Sequence, residues 1–391
     1  MISHEDVVVV GALRTPIGRA TRGKLRSLRN DELVTAAIRG IIEKTGIDPR
    51  LIEEVILGHC LSSMEGNVAA RMGALRAGVP VETPVMIINR LCGSGLESVG
   101  LIAEKIRSGR IEIGLAGGFE SMTSYGLPKE YTLSRGGACE DAEDCMLTLG
   151  EVSEMLGKTH GVTRSEADEY AVTSQKRALE ATKKGHFLAE IIPMRVGDET
   201  VERDEGIRET SLGTIESLKP VFRQDGVCTS ANSSQLSDGA SAVLLMKRRR
   251  ADELGLPVVA EFIDCIAVGL KPRDMGLGPV VAIEKLLKRN ELEKDQISYF
   301  EINEAFASQV LCCLRKLQIG EDRVNRYGGS IALGHPIGAS GARIVCTLLS
   351  VMKNEALEGY GVASLCVGAG HGVAALFRRA AGSKPQDIKN T

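Results

Sequence analysis

The sequence predicts an α/β fold in which two similar halves are each built on a mostly parallel sheet, with a loop-rich insertion between them. The chain has 391 residues, and 43% of them are apolar, which is enough to fill two or three cores. Apolar runs of strand length alternate with helical spacing near both ends of the chain. Such alternation favours parallel strands that are joined by helices.

The N-terminal half begins with Val7 to Val10, a β-branched run typical of a strand buried on both faces. Further strands are predicted over 55–57, 85–88 and 111–116. The last of these is expected to end at Gly117 and Gly118. Helical spacing predicts helices over 31–42 and 94–108, with Asp31 as the N-cap of the first.

Between about 120 and 237 the sequence is richer in Gly, Glu, Arg and Thr, and its apolar runs are modest. One helix is clear there, over 165–184, with Thr163 or Ser165 as its cap. We therefore expect an inserted loop domain over 120–237. It would separate an N-terminal half, 1–119 completed by about 238–268, from a C-terminal half, 269–391.

The α/β pattern resumes at Asp238. Strands are predicted over 240–246, 258–268, 360–367 and 373–377, and helices over 280–289, 305–316 and 338–353. A glycine turn, a helix and a strand follow one another at 92–118 and again at 334–370. This shared order suggests a duplicated fold, although no repeat is visible residue by residue.

Charge and hydropathy exclude several function classes. The formal net charge is −3 and both signs are spread along the chain, which argues against a nucleic-acid surface. No run of about 18 apolar residues occurs, so membrane insertion is not expected. Neither terminus carries a clear targeting signal. We expect an intracellular protein, with peroxisome, mitochondrion and cytosol left open.

The ten cysteines form no CxxC pair, and the six histidines do not cluster with them. The sequence therefore predicts no metal site and favours free thiols in a reducing compartment.

One of these cysteines, Cys92, lies in NRLCGSGLESVG, 89–100, between an apolar strand and a helix. A helix N-terminus lowers the pKa of a thiol, and its N–H groups can stabilise an oxyanion. Cys92 is therefore a candidate nucleophile. The alternative is a small buried apolar residue, the commoner role of a cysteine.

Three further motifs hold candidate acids and bases. GGSIALGHPIGASGARIV, 328–345, surrounds His335 with glycines, where it could take a proton from a thiol or be a loop histidine without a task. NEAFA, 303–307, places Asn303 at a predicted helix start, where an N-cap is the simpler interpretation. CVGAGHG, 366–372, places Cys366 at a glycine turn, where a thiol can act as acid or base.

Together these motifs resemble the thiolase family over essentially the whole chain. NRLCGSGL is similar to the family's nucleophile segment, NEAFA to its Asn motif, GGSIALGHPIGASGAR to its His motif and CVGAGHG to its C-terminal Cys motif, in the same order and spacing. The segments RTPIG, GGFESM and MGLGPVVAI are also similar to the family. NSSQLSDG and EINEAFASQ are more similar to degradative 3-ketoacyl-CoA thiolases than to biosynthetic acetoacetyl-CoA thiolases.

The resemblance implies a five-layer αβαβα core and a role for each motif residue. Cys92 would accept the acyl group, and His335 would activate it and line one oxyanion hole. Asn303 would hold a water in that hole, and Cys366 would be the acid and base for the second substrate. The N–H groups of Cys92 and Gly368 would form a second oxyanion hole. The residues expected to contact CoA or line the pocket are Ser234, Phe306, Met275 and Leu149.

Some positions depart from the family pattern and put the pocket shape in doubt. Leu91 replaces the usual Gln before the nucleophile, and Leu149 stands where a Met is common. Ala369 and His371 occupy a turn that usually has other residues.

The activity that the resemblance implies is CoA-dependent thiolysis of 3-ketoacyl-CoA to acetyl-CoA and a shortened acyl-CoA, reversible as a Claisen condensation. CoA and acyl-CoA would be substrates, with no cofactor, and the assembly would be a homodimer or a dimer of dimers. Two alternatives remain, a biosynthetic acetoacetyl-CoA thiolase and a non-catalytic acyl-CoA or lipid carrier. The four catalytic groups argue against the carrier, since binding alone requires none of them.

Overall fold

A computed structural model describes residues 5–62, 64–127, 133–134, 136 and 139–379. The strands are β1 (Val7–Arg14), β2 (Gly18–Arg19), β3 (Glu54–Gly58), β4 (Val85–Ile88), β5 (Ile113–Ser121), β6 (Met194–Val196), β7 (Glu199–Val201), β8 (Ser237–Lys247), β9 (Ala260–Gly269), β10 (Ile297–Ile302), β11 (Gly359–Val367) and β12 (His371–Arg379). The α-helices are α1 (Asn30–Thr45), α2 (Met64–Arg76), α3 (Ser94–Arg107), α4 (Glu140–Asp144), α5 (Leu149–Thr159), α6 (Arg164–Lys183), α7 (Leu212–Ile215), α8 (Arg248–Leu254), α9 (Gly278–Arg289), α10 (Ala307–Leu317), α11 (Ser330–Leu333) and α12 (Ile337–Asn354). Short 3₁₀ helices cover Lys24–Ser27, Pro49–Leu51, Pro272–Leu277, Lys294–Gln296 and Glu321–Arg323.

The two halves of the sheet repeat one plan. Hydrogen bonds join the strands in the order β10-β11-β12-β9-β1-β8-β5-β3-β4, with β2 added to β8. The pairs β3–β5 and β10–β11 are parallel, whereas β5–β8, β8–β1, β11–β12 and β12–β9 are antiparallel. A parallel bridge from Phe300 to Val324 stands in the second half where β4 stands in the first. The predicted duplicated α/β fold is therefore confirmed.

The halves meet where β1 pairs with β9, through Val8 opposite Glu261 and Val9 opposite Ala260. From Glu261 to Gly269, β9 pairs with β12. β9 therefore pairs with a strand of each half, and the assignment of residues up to about 268 to the N-terminal half stays a prediction. Periodicity identifies a strand but does not reveal its neighbours. The other domain boundaries stay a prediction as well.

Two helices lie between the halves and give the fold its five layers. α12 contacts β5 and β8 on one side and β10 and β11 on the other, and α3 contacts β3, β5, β9 and β12. α1 and α2 cover the outer face of the first half, while α9 covers that of the second and α10 packs against α9. Every residue of α12 from Ile337 to Met352 is buried, as expected of a helix placed between two sheets.

Most predicted elements are present, with their ends shifted by a few residues. Asp31 is not an N-cap, because α1 begins one residue earlier and Arg29 holds the cap position. Asp31 instead places its charge in the first turn, where the helix dipole favours an anion. Thr163, rather than Ser165, caps α6 by accepting from the backbone N–H of Glu166.

The glycines at 117 and 118 do not end β5, which continues to Ser121. A Cβ atom on Gly118 would lie 2.0 Å from the carbonyl oxygen of Gly338. Glycine there allows the first turn of α12 to approach the sheet. Within the described ranges, no helix is long and apolar enough to cross a membrane.

Candidate active site

Cys92 lies in a tight turn between β4 and α3. Ser94 Oγ donates to the Leu91 carbonyl at 2.6 Å and accepts from the Arg90 N–H at 2.8 Å. Asn89 Oδ1 accepts from the Leu91 N–H at 2.9 Å. Leu91 has a φ of 45°, a left-handed conformation that is costly for a residue with a side chain. These hydrogen bonds hold the strained turn, which places Cys92 just before the first turn of α3.

The Cys92 thiol is buried, and burial raises its pKa to about 11. Backbone N–H groups of Gly368 and of Cys92 itself point at the sulfur and oppose this increase. In the resting protein, desolvation of the Cys92 thiol outweighs both the helix start and the nearby donors. The same two N–H groups are the predicted second oxyanion hole.

Cys366 lies near the end of β11 and is also buried. Burial raises the pKa of Cys366 well above its usual value, and negative charge on Cys92 and then on Cys313 would raise it further. Cys92 and Cys366 therefore share one site although 274 positions separate them in sequence. Cys92 is the thiol with the smaller increase in pKa.

His335 follows α11 and is a neutral base. Its Nδ1 lies 2.6 Å from Ser340 Oγ, and that hydroxyl donates its own proton to the Pro336 carbonyl at 2.9 Å. Nδ1 must therefore carry the imidazole proton, and Nε2 keeps its lone pair. In the described part of the chain Nε2 has no hydrogen-bond partner. Burial, followed by the charge of Arg343, lowers the pKa of His335 to about 3.

Asn303 does not cap a helix, because the N-cap position of α10 is held by Phe306. Its backbone N–H donates to the Ser364 carbonyl at 2.9 Å. Its side-chain Oδ1 accepts from Ser330 Oγ at 2.6 Å and from Arg343 Nη2 at 3.4 Å. Nδ2 is buried without a partner among the described residues, so a donor is available for a water or a substrate oxygen.

The predicted pocket residues form one apolar cluster. It contains Cys366, Met275 and Phe306, and Leu149 packs against it. Ser234 adjoins the cluster, because its backbone N–H donates to the Ala305 carbonyl at 2.9 Å. The structure thus brings the expected CoA and acyl contacts to the thiol of Cys366. Their roles stay predictions.

The positions that depart from the family pattern surround Gly368. A Cβ atom on Gly368 would lie 2.9 Å from Leu91 Cδ1 and 3.4 Å from Leu149 Cδ2. His371 Nδ1 lies 3.1 Å from the Gly368 carbonyl oxygen, and Ala369 has a left-handed φ of 57°. The two leucines form an apolar border beside Gly368.

Sequence reasoning missed Glu120, a fully buried carboxylate on β5. One oxygen accepts from the N–H groups of Cys60 at 3.1 Å and Gly338 at 3.0 Å, and the other lies 2.9 Å from His59 Nδ1. Cys60 Sγ donates to the Leu91 carbonyl at 3.2 Å. Glu120 therefore connects the segment beside the nucleophile turn to the first turn of α12. The signal was a carboxylate within a buried strand of GGFESM, since a buried charge requires partners.

A nucleophile, a neutral base, a second thiol and two sets of N–H donors are the parts that acyl transfer requires. The described residues contain no group of three His, Cys, Asp or Glu side chains that could hold a metal ion.

Two family models match the chain. The N-terminal domain of thiolase matches residues 7–249, and the C-terminal domain of thiolase matches residues 256–379. The chain therefore belongs to the thiolase family, whose members are acyltransferases. The boundary between the two matches lies between β8 and β9, in agreement with the strand pairing.

Individual relatives cover nearly the full length. A protein named peroxisomal 3-ketoacyl-CoA thiolase from Encephalitozoon cuniculi (strain GB-M1) is 99% identical over 391 residues, all of both chains. The crystal structure of the dimeric peroxisomal thiolase of Saccharomyces cerevisiae has a TM-score of 0.92 and 38% identity, covering 97% of this chain and 98% of that one. Human mitochondrial 3-ketoacyl-CoA thiolase in complex with CoA has a TM-score of 0.89 and 34% identity, covering 97% and 99%.

Proposed function

We propose that the chain is a degradative 3-ketoacyl-CoA thiolase, which releases acetyl-CoA and a shortened acyl-CoA in fatty acid β-oxidation. The observation that carries this proposal is the meeting of Cys92 and Cys366 in one buried site, with two N–H groups aimed at the Cys92 sulfur. A carrier would need neither thiol. The near-identical relative from Encephalitozoon cuniculi supports the degradative type.

The first half-reaction begins with Cys92 and His335 both uncharged. His335 Nε2 takes the Cys92 proton as the sulfur attacks the 3-keto carbon. The oxyanion that forms accepts from the N–H groups of Cys92 and Gly368, the two backbone donors that interact with the sulfur. The bond between C2 and C3 then breaks. The acetyl-CoA enolate leaves, with its oxygen facing the protonated His335 and a water on Asn303 Nδ2, and Cys366 donates a proton to its carbon.

The second half-reaction restores every proton. The Cys366 thiolate takes the proton of the incoming CoA thiol, whose sulfur attacks the acyl group on Cys92. The same N–H groups stabilise the second oxyanion. When the thioester to Cys92 breaks, His335 returns its proton to the sulfur. Each residue thus ends in its starting state, and run backwards the sequence is a Claisen condensation.

The CoA and acyl contacts are assigned to residues beside Cys366. Ser234 and Phe306 would contact CoA, while Met275 and Leu149 would line the acyl pocket, since all four lie in or next to one apolar cluster. Two of them, Leu149 and Ser234, come from the region 120–237, which we propose as the inserted loop domain. Leu91 adds an apolar border that an acyl chain can pass.

Initial thiolysis rates on acetoacetyl-CoA and on 3-ketoacyl-CoA esters of increasing length test the assignment. We expect the longer esters to be cleaved at least as well as acetoacetyl-CoA. Turnover of acetoacetyl-CoA alone would favour the biosynthetic alternative, and tight CoA binding without thiolysis would favour the carrier.

The assembly is proposed to be a homodimer, formed at the free edge of β4. Met86 is exposed on this strand, beside exposed Val81 and Val68, and an apolar sheet edge readily pairs with another chain. The related yeast structure is described as dimeric. For the compartment we propose the peroxisomal type, which is the description carried by that relative and by the relative from Encephalitozoon cuniculi.

A further inference from the structure

A chain of buried polar groups lies behind Asn303. Arg343 on α12 is 1% exposed, and its Nη2 lies 2.8 Å from Ser330 Oγ and 3.4 Å from Asn303 Oδ1. Glu301 Oε2 lies 3.9 Å from Arg343 Nη1. Nε and Nη1 of Arg343 make no hydrogen bond to any described residue. A buried cation with so few bonds is expensive to maintain.

The position of this cation decides which end of the Asn303 carboxamide faces the site. The oxygen and nitrogen of a carboxamide have nearly the same shape, so a half-turn exchanges donor and acceptor. A guanidinium has donors only, and therefore the atom of Asn303 that faces Arg343 has to be Oδ1. Ser330 Oγ accepts from Arg343 and directs its own proton to the same oxygen at 2.6 Å. Nδ2 is left without a partner.

We propose that Arg343 and Ser330 are positioning residues, which fix the Asn303 carboxamide so that a donor faces the enolate oxyanion hole. This inference rests on the proposed function, because Asn303 matters only if that hole is used. In the flipped carboxamide, Oδ1 would oppose the negative oxygen. Loss of one oxyanion donor lowers kcat by roughly 100- to 1,000-fold. Arg343 therefore acts on the reaction without touching substrate.

A double-mutant cycle in the full-length enzyme tests this role. We compare Ser330→Ala, Asn303→Ala and the double variant, and measure kcat and KM for thiolysis together with the melting temperature. One lost hydrogen bond to Asn303 should lower kcat about tenfold in Ser330→Ala, with KM within about twofold. In the Asn303→Ala background the same substitution should have no further effect on kcat, because its target is gone.

Two substitutions, Arg343→Lys and Arg343→Met, test whether the positive charge of Arg343 is required. Lysine keeps a donor-only cation, so it should retain more of kcat than methionine. The matched control is Thr347→Val, one turn further along α12, where Oγ1 donates to Glu190 at 3.2 Å. This buried position is outside the site, and its variant should keep the wild-type kcat.

Three results would overturn the inference. The first is a tenfold loss from Ser330→Ala that persists unchanged in the Asn303→Ala background, since Ser330 would then act by another route. The second is a folded Arg343→Met enzyme as active as Arg343→Lys. The third is an unchanged kcat in Asn303→Ala, which would also remove Asn303 from the proposed function. If Arg343→Met does not fold, the Ser330 cycle still decides.

Discussion

Alkylation by iodoacetamide separates the two active-site thiols. With a pKa of about 11, Cys92 is thiolate in about one molecule in ten thousand at pH 7, whereas a thiol of ordinary pKa near 9 is thiolate in about 1%. The inactivation rate should therefore rise about tenfold for each pH unit between pH 7 and 10. Burial raises the pKa of Cys366 further, so the label should appear at Cys92 first.

The assay requires a background without the exposed thiols, which would be alkylated first. Cys139 and Cys145 are exposed, so both are replaced by serine, and mass spectrometry locates the label as activity is lost. In this background Cys366→Ala should still be labelled at Cys92, yet lose about a hundredfold or more of its turnover, because its acid and base is gone. Cys92→Ala should abolish both half-reactions.

Two outcomes would contradict the reasoning. A plateau in the inactivation rate between pH 7 and 9 would show that the resting enzyme already holds a Cys92 thiolate beside a protonated His335. Labelling of Cys366 before Cys92 would reverse the roles of the two thiols.

Three further predictions use other parts of the structure. Ser340→Ala removes the acceptor that holds His335 Nδ1 and should lower kcat about tenfold with little change in KM; an unchanged kcat in thiolysis assays would contradict the assigned tautomer. Burial raises the pKa of Glu301 to about 8, so between about pH 4.5 and 8 the folded state holds a proton that the unfolded state lacks. Wild type should therefore lose up to about 1.4 kcal/mol of stability per pH unit relative to Glu301→Gln as pH rises; parallel melting curves at pH 6 and 8 would refute this. Met86→Lys places a charge on the exposed edge of β4 and should shift light scattering toward the 41.8 kDa monomer; an intact dimer would move the interface elsewhere.

Apolar periodicity could predict the helices and strands, and the sequence motifs could predict which residues meet at the site. The run Val7 to Val10 forms a buried strand, and the apolar positions after Ser94 form the buried face of a helix. Both patterns can be read from neighbouring residues alone. The partner of β9 and the buried contacts of Glu120 could not be predicted, because both depend on residues distant in sequence. The rise in the pKa of Cys92 could not be predicted either, because it depends on how deeply the folded protein buries the turn that holds this thiol.

Burial of the active-site groups is itself part of the proposed chemistry. Burial keeps both thiols and His335 neutral before substrate arrives, so no ion pair attracts water into the site. Raising the pKa of Cys92 from an ordinary 9 to about 11 opposes thiolate formation by about 3 kcal/mol. One preorganised oxyanion donor is worth roughly 2.7–4 kcal/mol in the transition state, and the N–H groups of Cys92 and Gly368 supply two. Their combined effect opposes the burial penalty on the Cys92 thiolate, and it acts only once negative charge has moved from sulfur to the substrate oxygen. A dry, neutral site therefore favours attack on the 3-keto carbon of a bound substrate over reaction of the free thiol.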